Sequence, residues 1–89
     1  MVQRTWLITG VSSGFGREMA QQLLARGERV IGTVRSTAKV EDLLAAWPET
    51  FSAPLLDVTD GGAVRQVVDE SWARFGRIDV VIANAGYGL

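Results

Sequence analysis

Apolar positions along this chain follow two periods that take turns. Thr5 to Thr9 is a short apolar and β-branched run, read as a first strand, and Phe15, Met19, Leu23 and Leu24 then recur at helical spacing until Gly27, a natural helix stop. Arg29 to Val34 reads as a second strand. Val40, Leu43, Leu44 and Trp47 predict a second helix that Pro48 ends, and Pro54-Leu55-Leu56-Asp57 carries a third strand. A third helix, capped by Thr59 or Asp60, has Val64, Val67, Val68, Trp72 and Phe75 as its apolar face and closes at Gly76, leaving Ile78 to Ala83 as a fourth strand.

Strands that alternate with helices, without a tight hairpin signal, require parallel pairing through right-handed crossovers. The expected fold class is α/β, a single βαβαβαβ unit over residues 1–89 with strand order 3-2-1-4. The first two helices then cover one face of the sheet and the third covers the other. Between strands three and four the connection reverses past strand one, and that reversal opens a crevice at the carboxyl ends of the strands, where such sheets bind ligands.

Composition narrows the choices without naming a chemistry. The chain has 89 residues, 47% of them hydrophobic, and a formal charge of −1 without a single-sign block, so nucleic acid and membrane surfaces are not expected partners. With no cysteine and no histidine, disulfides, a His/Cys metal site and a His-dependent triad are excluded. A reducing, cytoplasmic setting fits this usage. The first apolar run is too short for a membrane span or signal-peptide core, so the chain reads as soluble and unprocessed.

The candidate chemistry begins at the turn Thr9-Gly10-Val11-Ser12-Ser13-Gly14-Phe15-Gly16, between the first strand and the first helix. Unpaired N–H groups at a helix start and the positive end of its dipole hold an anion, and glycines let it come close. The same turn would also serve as a plain helix start capped by Ser12 or Ser13. Val34 stands at the end of the second strand, where a carboxylate would grip a free ribose 2′-hydroxyl, and Arg35 follows it; a guanidinium suits a 2′-phosphate, favouring NADP over NAD. A solvated arginine at a strand end is the plainer reading. Asp57 offers an acceptor for an adenine amino group with Val58 packing on the ring, or else a turn ahead of the third helix. Asn84-Ala85-Gly86 joins an amide to two residues small enough for a ribose or nicotinamide to pass, or forms a simple turn.

Together, Gly10-Val11-Ser12-Ser13-Gly14-Phe15-Gly16 after Thr9, the Val34-Arg35 pair, Asp57-Val58-Thr59-Asp60 and Asn84-Ala85-Gly86 resemble the cofactor-binding half of the short-chain dehydrogenase/reductase family. The resemblance runs from Thr5 to Gly86. It implies a Rossmann-type sheet, incomplete relative to the family's full fold, in which Gly10, Ser12, Ser13, Gly14, Phe15 and Gly16 surround the phosphates. Asp57, Val58, Asn84, Ala85 and Gly86 then flank the rest of the dinucleotide. Ala83 departs from the family's usual N-N-A-G, with the amide of Asn84 retained.

The family's proton chemistry uses a Ser and a Tyr-x-x-x-Lys pair, which these residues do not contain; Tyr87 has no lysine after it and is rejected as a catalytic acid. The implied activity is hydride transfer between NADP(H) and a small carbonyl or alcohol substrate, with this chain supplying the cofactor-binding part. Its alternatives are a dinucleotide-binding module without catalysis, an engineered or truncated half-fold, and a purely structural α/β domain. A full relative continues the sheet past strand four. Val80-Val81-Ile82 is therefore expected to form an apolar edge prone to self-association, and the face carrying only the third helix to be under-covered. Trp6, Trp47 and Trp72 read as packing residues, and Asp69-Glu70 as a solvated helix face.

Overall fold

A computed structural model of the chain describes residues 3–11, 14–56 and 61–83. The elements run β1 (Thr5–Thr9), α1 (Gly14–Ala25), β2 (Arg29–Thr33), a 3-10 turn (Thr37–Val40) leading into α2 (Glu41–Ala46), β3 (Phe51–Ser52), α3 (Gly61–Phe75) and β4 (Val80–Ile82). All pairings are parallel and the order is β3-β2-β1-β4, as the alternation of periods predicts.

Register sorts the side chains into two layers. Trp6 and Ile8 of β1 lie level with Val30 and Gly32 of β2, and this face packs with Val11, Ala20, Leu23, Leu24, Val40, Leu43 and Phe51, hence beneath α1 and α2. Leu7 and Ile31 point the other way, onto Val67 and its neighbours in α3. Helices one and two thus share a face and helix three takes the opposite one. Gly27 ends α1 as expected: at φ 87° it lets its own N–H reach Leu24 O at 3.0 Å and the Glu28 N–H reach Leu23 O at 3.0 Å, which satisfies carbonyls the last turn leaves over.

Three sequence expectations need correction. The third strand begins earlier than Pro54: Phe51, 1% exposed, pairs with Val30, and Ser52 with Ile31. Pro54 has no N–H to give, so the ladder breaks and resumes only as a bridge, with Val34 N–H donating to Pro54 O at 3.1 Å and Leu56 N–H to Val34 O at 2.9 Å. Phe15 does not belong to the buried face of α1. That face is Gly16, Ala20, Leu23 and Leu24, because the small residues let the helix sit close to the sheet, and Phe15 is left 70% exposed. Trp72 is likewise 53% exposed, its place on the inner face of α3 taken by buried Ser71.

The exposure of Trp72 has a direction. Ser52 and Pro54 meet Val67, Glu70, Ser71 and Arg74 around one cleft, which turns that flank of α3 toward β3. Trp72 therefore occupies the opposite flank, on the side of β4, where Val81 is 63% exposed on the same face of the sheet. The α3 layer is under-covered there, as expected. Thr59 and Asp60, proposed to cap α3, lie outside the described residues.

At the amino ends of the strands, Asp79 joins β4 to β1. Its Oδ2 accepts from Thr5 N–H at 2.8 Å, its N–H donates to Thr5 O at 2.8 Å, and its Oδ1 accepts from Arg77 Nε at 2.9 Å. The Thr5 N–H first, and Arg77 second, hold the Asp79 carboxyl below its ordinary value. Folded-state protonation is therefore harder than unfolded-state protonation, so the contribution is complete above the unfolded pKa of about 3.9 and fades as pH falls through the lowered folded value. Melting curves of the protein and Asp79→Asn should differ by a constant amount from pH 5 to 7 and converge in more acidic buffer. A gap that widens on acidification would refute this link.

Candidate functional site

Parallel pairing brings the carboxyl ends of all four strands to one end of the sheet. The turn after β1 is moored there. Gly10 N–H donates to Thr33 O and to Thr33 Oγ1, both at 3.1 Å, and Val11 N–H also reaches Thr33 O at 3.1 Å, so the chain bends across the end of β2. Gly10 makes that bend at φ 75°, a left-handed conformation that a side chain opposes.

Val11 then plugs into the core with no exposed surface, and the residue beneath it is a glycine in mid-strand. A Cβ on Gly32 would lie 2.3 Å and 2.9 Å from the two Val11 methyls and 3.1 Å from Phe51 Cε1. Reading the sequence for ligand chemistry missed Gly32. Its signal was a glycine inside a strand, which marks a close approach of another part of the chain.

Gly14 opens α1 at φ 65°, and an added Cβ there would meet nothing within 4 Å. The first turn of α1, a 12-residue helix, carries no acidic side chain of its own to offset the positive end of the dipole. Gly16 is buried against the sheet, and Phe15 is exposed beside it. Of the predicted residues, Gly10, Gly14, Phe15, Gly16 and Arg35 are described; Ser12, Ser13, Asp57, Val58, Asn84, Ala85 and Gly86 lie outside the described residues. Arg35 is exposed two residues beyond Thr33, hence next to the mooring point of the turn.

The other strand ends reach the same level. Leu56 is bonded to Val34, and Ile82 pairs with Ile8, which brings Ala83 alongside Thr9. A helix start with open space at its glycine, no carboxylate in its first turn and an arginine at the next strand end suits a dinucleotide phosphate. Among the described residues no group of acidic side chains could hold a metal ion, and no helix is long and apolar enough to cross a membrane.

Sequence comparison finds a family model described as short chain dehydrogenase matching residues 4–88. Oxidoreductase BOA17 of Botryotinia fuckeliana is 42% identical over 85 residues, covering 94% of this chain and 31% of that protein. A crystal structure of a short-chain dehydrogenase from Streptomyces avermitilis superposes with a TM-score of 0.91 at 48% identity, over 96% of this chain and 31% of that one. Two further structures carry cofactors. ElxO with NADP bound has a TM-score of 0.84 at 32% identity, over 99% of this chain and 37% of that one. A 3-ketoacyl-(acyl-carrier-protein) reductase from Brucella melitensis complexed with NADH has 0.79 at 28%, over 88% and 32%. The chain spans about a third of the length of these relatives.

Proposed function

The chain belongs to the short-chain dehydrogenase family, and on that premise we propose that it is the NADP(H)-binding part of an oxidoreductase acting on a small carbonyl or alcohol substrate. In this reading residues 1–89 are the half-domain that grips the cofactor, and the proton-transferring Ser, Tyr and Lys of the family would stand elsewhere in the protein. A nicotinamide dinucleotide supplies or accepts a hydride at the substrate carbon. The chain's own residues bind and orient it. Backbone N–H groups from Ser12 to Gly16 receive the diphosphate at the start of α1, on the turn that Gly10 begins. Phe15 lines that turn, Asp57 and Val58 hold the adenine, and Asn84, Ala85 and Gly86 border the nicotinamide-side ribose.

One observation carries the proposal: the turn after β1 is moored by Gly10 and Val11 to Thr33, so that the open start of α1 and Arg35 share one corner of the sheet. NADP is favoured over NAD because a guanidinium there complements a 2′-phosphate, where a carboxylate would repel it. Titration of the complete protein with NADPH and NADH tests this. Arg35→Glu should reverse the preference, weakening NADPH by roughly tenfold or more, the loss of about one charge-assisted hydrogen bond plus the new repulsion. Unchanged selectivity would remove Arg35 from the site.

The same reading extends to the edge of the sheet. Among the described residues no strand pairs with the outer side of β4, and Val81 is 63% exposed. The 89-residue chain by itself should therefore associate through that edge. Sedimentation velocity checks this: a monodisperse monomer at micromolar concentration would count against it.

A further inference from the structure

We propose that Arg17 is a positioning residue for cofactor choice: its guanidinium ties the segment after β2 to the first turn of α1 and thereby sets where Arg35 stands. The proposal rests on the NADP reading above. The segment in question is exposed from Arg35 to Lys39 and anchored only at its ends in the core, by Val34 at 2% and Val40 at 0% exposure. Between such anchors a chain's path is decided by polar ties.

Arg17 supplies one such tie and, from the same side chain, a second just past Val40. Its Nη1 donates to the Lys39 carbonyl at 2.8 Å, and its Nη2 pairs with the Asp42 carboxylate on α2. A planar guanidinium that satisfies two acceptors, one on the segment and one on the helix that follows it, fixes direction as well as distance, which a lysine does not. Ser36 stiffens the same stretch, its Oγ accepting from Ala38 N–H at 3.3 Å at the start of the 3-10 turn. The Arg17 hydrogen bond also holds the Asp42 carboxyl below its ordinary value.

Arg17 follows Gly16 directly, and the two ends of this tie therefore belong to different halves of the site. One end is the helix start that faces the diphosphate. The other is the segment carrying the residue for the 2′-position. An ion pair with Asp42 62% exposed adds little to stability, so its effect should appear as selectivity rather than as folding free energy.

Dissociation constants of NADPH and NADH for the complete protein, for Arg17→Met, for Asp42→Asn and for the double variant provide the test. Each single change should weaken NADPH by up to about fivefold, the ceiling for one exposed pair, and leave NADH within about twofold. The double variant should be no worse than Arg17→Met, because Asp42→Asn removes only one of the two contacts that Arg17→Met already removes. Equal losses for the two cofactors would reduce Arg17 to a structural role and overturn the proposal. So would tighter NADPH binding by Asp42→Asn, which would make a released Arg17 a direct phosphate ligand. If the unaltered protein prefers NADH, the cofactor reading itself fails and this proposal falls with it; if it prefers NADPH while the variants change nothing, only the role of Arg17 is lost.

Discussion

Gly32→Ala is expected to destabilise the protein by about 1–3 kcal/mol, the usual cost of forcing a methyl into a filled core, and to weaken dinucleotide binding at the same time. The added carbon would overlap both Val11 methyls, at 2.3 Å and 2.9 Å, and press on the Phe51 ring. Neither neighbour can retreat cheaply. Val11 and Phe51 are 0% and 1% exposed, and a β-branched side chain has few alternative rotamers. The displacement passes to Val11's backbone, whose N–H is moored with that of Gly10 to Thr33, and so to the turn proposed to receive the diphosphate. A strand residue with no polar atom in its side chain is thus expected to act on binding through packing alone. Chemical denaturation of Gly32→Ala, Val11→Ala and the pair together isolates the contact: the double variant should lose less stability than the two single losses added, since Val11→Ala vacates the space that the new methyl needs. Strict additivity would show that Gly32 and Val11 do not meet.

Gly14→Val should reduce dinucleotide affinity by about a hundredfold, equivalent to losing roughly two charge-assisted hydrogen bonds from main-chain amides. Two effects combine. A β-branched residue at φ 65° is strained by about 1–2 kcal/mol, and its side chain would fill the space open at the start of α1. The other end of the same helix provides the control. Gly27 is also left-handed, at φ 87°, also with nothing within 4 Å of an added Cβ, but it caps the carboxyl end of α1, at the opposite end of the helix from the proposed site. Gly27→Val should cost comparable stability and leave the dissociation constant of NADPH unchanged. If both variants lose binding in proportion to stability, the turn at Gly14 is a scaffold rather than a phosphate seat.

These two glycines differ in how visible they are along the chain. Gly14 stands in a local pattern, between an apolar run and a helical period, and its conformation follows from a turn only a few residues long. Gly32 is informative only through Val11 and Phe51, on either side of it in sequence and brought together by β1-β2 and β2-β3 pairing. The Arg17–Asp42 pair and the Asp79 bond to Thr5 are similarly distant in sequence, and neither has a spacing that announces it. Phe15 and Trp72 mislead for a related reason. Counting only large apolar residues ignores Gly16, Ala20 and Ser71, the small ones that the contact faces of α1 and α3 use.

The amino-acid sequence by itself determined the alternation of four strands with three α-helices, the β3-β2-β1-β4 order, the side on which each helix lies and the glycine turn after β1. Each of these follows from local periodicity, from residues that stop helices, and from the handedness of a parallel crossover. Tertiary structure alone decided that the third strand starts at Phe51, that Gly32 lies under Val11, that Arg17 reaches Asp42, and which aromatic residues face solvent. Those outcomes depend on register and close packing between segments far apart in the chain, where a shift of one residue turns a side chain to the other face of the sheet.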